Sequence, residues 1–112
     1  MSLKDKIFKL NPKKKIEVPV LLICFNRPKQ LTKTLKLLLK YKVKNLYVFQ
    51  DGCPNNNSKN CQKHIEVKKI LKEFELAKKI KIYFAKKNLG KKFGPPTAIT
   101  WFFKNFEKGV II

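Results

Sequence analysis

The stretch VPVLLICFNRP, residues 18–28, decides the fold of this chain, because eight mostly apolar residues lead directly into a polar corner and a proline. The apolar part has the length and composition of a strand that is buried on both faces. Pro28 suits the first turn of a helix, where the N–H that proline lacks would have no partner. Leucines at positions 31, 35, 38 and 39 then recur at helical spacing. The stretch therefore predicts a strand, a short corner and an amphipathic helix.

The same alternation of apolar runs and helical patterns continues along the sequence. Further strands are predicted at Leu46–Phe49, Ile80–Ala85 and Val110–Ile112, with a helix before each of them. The third helix is predicted to follow Pro95-Pro96 and to stop at Gly109. The order β-α-β-α-β-α-β predicts an α/β fold, a three-layer α/β/α Rossmann-like parallel sheet with strand order 3-2-1-4.

Polar residues stand at the ends of the first two predicted strands. Asn26 and Arg27 follow the first strand, and Asp51 follows the second. Because parallel strands end at the same edge of a sheet, these three side chains are expected to converge on the crevice where open α/β sheets bind ligands. Local alternatives remain open: Asn26 as the cap of the next helix, Arg27 as a surface charge, and Asp51-Gly52 as a tight turn.

Lysine dominates the charge of the 112-residue chain. Lys and Arg total 27 against seven acids, which gives a formal net charge of +20, and Arg27 is the single arginine. Proteins that read bases or clamp phosphates usually rely on the arginine fork, so the lysine excess indicates compositional bias more than a nucleic-acid surface. Non-specific, salt-sensitive binding to polyanions is still expected. The length predicts one domain, and 44% hydrophobic residues exclude a disordered polycation.

Residues 1–17 are a basic leader, expected to be flexible or docked on the domain, with a short membrane-surface helix as the alternative. No apolar run reaches the roughly 18 residues of a membrane span. Cys24, Cys53 and Cys61 make an odd number without CxxC spacing, which predicts no disulfide framework and a reducing compartment. Cys53, Cys61 and His64 lack a fourth ligand for zinc. We therefore predict a cytoplasmic protein and leave open its attachment to the inner face of the membrane.

Four short motifs resemble those of nucleotide-diphospho-sugar transferases, in the same order. They are PVLLICFNRP with its leucine-rich helix, Gln50-Asp51-Gly52, Asn88-Leu89-Gly90, and the stretch from residue 98 to residue 112. The pattern is most similar to bacterial glycosyltransferases of the GT-A fold, including the group related to N-acetylglucosaminyltransferase I. The resemblance covers residues 18–112, which correspond to the first half of a typical family domain.

The resemblance implies the nucleotide-binding half of a glycosyltransferase that uses a nucleotide-diphosphate sugar, with a UDP-sugar as the expected donor. A glycan, a lipid or a protein would be the acceptor. The nucleotide-binding residues that it implies are Phe25, Asn26, Arg27, Asp51, Gly52, Asn88, Gly90 and Lys91.

Each segment has an expected role in this interpretation. Phe25 to Arg27 would form a rim for the nucleoside, and Asp51 would accept a hydrogen bond from the base or the ribose. Backbone N–H groups and lysine charge in the loop from Asn88 to Lys91 suit a diphosphate, with a solvated turn as the alternative.

The resemblance also implies that an acidic DxD-type motif should follow Ile112. The catalytic residues and a divalent cation, Mn or Mg, that neutralises the leaving diphosphate are expected there. This chain alone is thus expected to carry no metal site and to be inactive as a transferase. The alternative is a small basic α/β module that binds nucleic acid or an anionic membrane surface.

Overall fold

The structure, a computed structural model, describes residues 17–54 and 58–112, with the side chains of residues 58–60 outside the description. The predicted basic leader lies outside the described residues, apart from Glu17. Within the described part, the strands are β1 (Val20–Cys24), β2 (Leu46–Gln50), β3 (Lys81–Phe84) and β4 (Val110–Ile111). The helices are α1 (Pro28–Lys40), α2 (Ser58–Ala77) and α3 (Gly90–Phe103).

The described strands form one parallel sheet in the order β3-β2-β1-β4. In the register of this sheet, Val20 of β1 lies opposite Leu46 of β2 on one side and Val110 of β4 on the other. The predicted α/β fold and strand order are confirmed.

Helices cover both faces of the sheet, because successive residues of a strand point to opposite faces. On one face, α1 and α2 bury leucines and Val67 against Val20, Leu22 and Val48. On the other face, Ala98 and Phe102 of α3 pack against Leu21 and Phe49. This gives the three layers of the predicted architecture, with β1 in the interior of the sheet.

Helix α3 begins at Gly90, so the prediction that it follows Pro95-Pro96 is wrong, and both prolines lie inside it. Its early start has a tertiary cause: Asp51, at the end of β2, accepts the N–H groups at the start of this helix. The helix ends at Phe103, before Gly109.

Gly109 is needed for close packing and does not end the helix. A Cβ at this position would lie 2.5 Å from the ring of Phe102 and 2.9 Å from the carbonyl oxygen of Pro19. The glycine therefore lets the segment before β4 pass between α3 and the start of β1.

Cys53 and Cys61 form a disulfide across the β2–α2 connection, with their Cα atoms 6.0 Å apart, so the prediction of unpaired cysteines is wrong. The disulfide also removes both sulfurs from the zinc hypothesis. Disulfides are typical of oxidising compartments, so cysteine usage no longer supports a cytoplasmic location, which stays a prediction. None of the described helices is long and apolar enough to cross a membrane.

Candidate functional site

A cavity of about 640 Å³ opens at the carboxyl-terminal edge of the sheet, beside the end of β1. Its walls come from the ends of β1 and β2 and from the first two turns of α1 and α3, which lie on opposite faces of the sheet. This is the switch point of the strand order, and the volume is typical of small-molecule sites.

Seven of the eight nucleotide-binding residues predicted from the sequence line this cavity. They come from three segments of the chain and are Phe25, Asn26, Arg27, Asp51, Asn88, Gly90 and Lys91. The eighth, Gly52, does not line it. Gly52 instead packs against backbone, because a Cβ there would lie 2.6 Å from the carbonyl carbon of Lys87.

The inner wall of the cavity is apolar and includes Ile23, Cys24 and Phe49. The Cys24 thiol donates a hydrogen bond to the carbonyl oxygen of Phe49, with sulfur and oxygen 3.6 Å apart. Burial raises the pKa of this thiol to about 12. Because the thiolate is the reactive form of cysteine, Cys24 acts here as part of an apolar wall and not as a nucleophile.

Asp51 fastens the end of β2 to the start of α3. Its Oδ1 accepts the N–H groups of Gly52 and Leu89, both at 2.8 Å, and its Oδ2 accepts the N–H of Gly90 at 2.9 Å. The Asn88 amide adds a long contact of 3.4 Å to Oδ2 and donates to the Gly52 carbonyl oxygen at 2.8 Å. A carboxylate at a helix N-terminus satisfies N–H groups that have no partner within the helix and favourably meets the helix dipole.

These bonds change the roles expected for the loop before α3. The N–H groups of Leu89 and Gly90 already have a carboxylate as their acceptor, so they are not open to a diphosphate. The Asp51 carboxylate accepts these bonds with both oxygens, which leaves it little capacity for a base or a ribose. Lys91, in the first turn of α3, is exposed and lines the cavity, so its ammonium group can reach an anion there.

The start of α1 provides the other polar rim of the cavity. The N-cap residue of α1 is Arg27 and not Asn26, and Arg27 makes no side-chain cap hydrogen bond. Arg27 is exposed, and its guanidinium donates a long hydrogen bond of 3.4 Å to the side-chain oxygen Oε1 of Gln30. An uncapped helix start beside an arginine is a suitable place for an anion.

Gln50 is a buried polar residue that was not among the candidates from the sequence. It is 1% exposed, and its amide nitrogen donates to the carbonyl oxygens of Phe25 and His64, each at 3.0 Å. His64 in turn donates from Nε2 to the backbone carbonyl oxygen of Asp51 at 2.8 Å, because a carbonyl oxygen can only accept. The sequence carried a signal for this role, because Gln50 is a polar residue at the end of an otherwise apolar strand.

The described residues show no group of three or more His, Cys, Asp and Glu side chains that could hold a metal ion. The site is thus an apolar cavity with a cationic rim, positioned by Asp51, Gln50 and His64. Comparisons of the chain with protein-family models, with curated proteins and with solved structures found no match.

Proposed function

We propose that this chain is the nucleotide-binding half of a glycosyltransferase. Its cavity beside β1 binds the nucleoside diphosphate of a nucleotide-sugar donor. The observation that carries this proposal is the convergence of three separate chain segments on one cavity at the switch point of the sheet. The family resemblance of those same segments supplies the class of ligand.

The chemistry of the walls suits the two ends of a nucleoside diphosphate. Phe25 and the apolar wall offer a surface for an aromatic base. Arg27, at the start of α1, and Lys91, at the start of α3, offer cationic groups for the phosphates. The half-buried Asn26 amide lines the same cavity and can donate to and accept from a ribose or a base.

Asp51 is a positioning residue in this proposal and not a ligand of the nucleotide. Its bonds to Leu89 and Gly90 fix the start of α3 and thereby place Lys91 at the opening of the cavity. This differs from the role that the family resemblance implied for the same residue.

In the complete enzyme, the sugar would be transferred from the bound nucleotide to an acceptor. The described residues supply binding and orientation of the donor, and no cluster that would hold the expected Mn or Mg ion. No step of the reaction is therefore assigned to a metal in this chain.

Titration of UDP into the protein by calorimetry tests the proposal with matched pairs of variants. Arg27→Gln should weaken binding about tenfold, because a charge-assisted hydrogen bond is lost, whereas Lys29→Gln removes the same charge outside the cavity. Lys91→Gln and Lys92→Gln form a second pair, since Lys91 lines the cavity and Lys92 lies against the Phe93 ring.

Equal losses within each pair would show that UDP responds only to the overall charge, and would contradict the proposal. A single-stranded oligonucleotide provides the comparison with the alternative function. If the oligonucleotide binds with a steep salt dependence while UDP does not bind at all, the basic-module alternative replaces the transferase interpretation.

A further inference from the structure

A second cavity, of about 480 Å³, lies at the opposite, amino-terminal edge of the sheet. It is enclosed by the ends of α1 and α2 and by the segments that lead into β2 and β3. Its lining has an apolar floor, formed by Leu38, Leu39, Val43, Leu46, Phe74 and Ile80, and four lysines, Lys42, Lys44, Lys78 and Lys79. We call this the lysine cavity.

The charge of the lysine cavity is unbalanced. All four lysines are exposed, and no acidic side chain is among the described residues that line the cavity. Like charges around a concave apolar surface create a positive potential that attracts anions. Leu39 belongs to the same lining and is 41% exposed, which leaves apolar surface in contact with water beside the lysines.

Lys42, which lines the lysine cavity, has a left-handed backbone conformation at the end of α1. Lys42 has φ 52°, and the N–H groups of Lys42 and Val43 bond to the carbonyl oxygens of Leu39 and Leu38 at 3.1 and 3.2 Å. This helix ending strongly favours glycine at the position of Lys42. A lysine at this position carries a conformational free-energy cost that glycine would avoid. Non-glycine residues in such backbone conformations concentrate at functional sites.

We propose that the lysine cavity binds the anionic head group of a membrane phospholipid and docks the domain on an anionic bilayer by its amino-terminal edge. The lysines would meet the lipid phosphate, and Leu39 with the apolar floor would meet the first acyl carbons. The cavity beside β1 lies at the other edge of the sheet and would stay open to water. This proposal does not rest on nucleotide binding.

The lining favours a lipid over a nucleic acid. The described lining contains no arginine, and its single aromatic ring, Phe74, is half-buried in the core of the α1–α2 face. Nucleic-acid sites use arginine forks and exposed aromatic rings on which bases stack. An exposed leucine surrounded by lysine stems suits the boundary between head groups and acyl chains instead.

Cosedimentation with phosphatidylcholine vesicles, with and without phosphatidylglycerol, tests the proposal. The chain should bind the anionic vesicles, and Lys78→Ser with Lys79→Ser should weaken binding about thirtyfold. The matched control is Lys86→Ser with Lys87→Ser, which removes the same charge beyond the other end of β3 and should change binding less than threefold. Equal losses in the two double variants would show that only the net charge attracts the chain, and would overturn the proposal.

The apolar part of the site has its own matched pair of variants. Leu39→Ser should weaken vesicle binding about fivefold, whereas Leu76→Ser, at a leucine that is 90% exposed and outside the cavity lining, should not. Equal losses would show that exposed leucine alone drives binding, and would contradict the assignment of the cavity.

Binding of an oligonucleotide that depends on Lys78 and Lys79, with vesicle binding independent of them, would overturn the lipid in favour of a nucleic acid.

Discussion

Replacing Asp51 by alanine tests whether the start of α3 is fixed from the end of β2. The substitution removes the acceptor of three backbone N–H groups, those of Gly52, Leu89 and Gly90, at 2.8 to 2.9 Å. The bond to the N–H of Gly52 joins neighbouring residues and connects no distant segments. The bonds to Leu89 and Gly90 join segments that are 38 and 39 residues away, so the effect on stability comes mainly from these two.

The expected loss is about 3 kcal/mol in the free energy of unfolding. A hydrogen bond to a charged group contributes about 1.5–3 kcal/mol, and removal of a helix cap costs about 0.5–2 kcal/mol. The two descriptions overlap here, because the same carboxylate is both the acceptor and the cap of α3. Two such bonds would contribute about 3–6 kcal/mol. Asp51 is half-buried, so water can replace part of the lost bonding, and the expected loss lies at the lower end of that range. Asp51→Asn keeps one acceptor oxygen and should cost about half as much.

Urea unfolding, followed by far-ultraviolet circular dichroism and by Trp101 fluorescence, measures this loss. Glu75→Ala is the matched control, because Glu75 is an exposed acid on α2 and its removal raises the net charge by the same amount. The control corrects for the added repulsion in a chain of net charge +20. If the free energies of unfolding of Asp51→Ala and Glu75→Ala differ by less than about 0.5 kcal/mol, Asp51 does not hold the start of α3.

Four further predictions test other parts of the structure. Thiol labelling should find no reactive cysteine in the folded chain, only Cys24 after unfolding without reductant, and all three cysteines after reduction. Burial raises the pKa of Cys24 from 9.0 to about 12, so the contribution of its neutral thiol to stability is complete below pH 9. Between pH 9 and 12, the free energy of unfolding, measured relative to Cys24→Ala, should fall by about 1.4 kcal/mol per pH unit. Lys42→Gly should raise stability by about 1 kcal/mol in urea unfolding while it weakens vesicle binding; a loss of stability would contradict the strain at this position. Gly52→Ala should cost about 2 kcal/mol, because its Cβ would lie 2.6 Å from backbone, and more than Gly94→Ala, whose nearest contact is the Asp51 carboxylate at 3.2 Å.

The fold was predictable from the sequence because its signals are local. The apolar run before Asn26, the proline at the first position of α1 and the leucine spacing of that helix each concern neighbours along the chain. The strand order then follows from general rules for parallel β-α-β connections. The meeting of strand-end residues at one cavity follows from the same topology and needs no knowledge of side-chain contacts.

The features that the sequence did not predict depend on contacts between distant segments. Asp51 reaches Leu89 and Gly90 across the sheet edge, so nothing in the local sequence around Pro95 shows that α3 begins before the prolines. The disulfide between Cys53 and Cys61 depends on the path of the β2–α2 connection. The amides of Leu89 and Gly90 were expected to bind a diphosphate, but they bind the carboxylate of Asp51, which is far away in the sequence.

The most direct test of nucleotide binding is a titration of the isotope-labelled chain with UDP, followed by the shifts of backbone amide signals in nuclear magnetic resonance spectra. We predict saturable shifts at Phe25, Asn26, Arg27 and Lys91, which line the cavity beside β1. The amides of Lys42, Lys44 and Lys78, at the opposite edge of the sheet, should not shift. Shifts confined to the lysine cavity, or no saturable shift at either edge, would contradict the assignment of the cavity beside β1 as a nucleotide site.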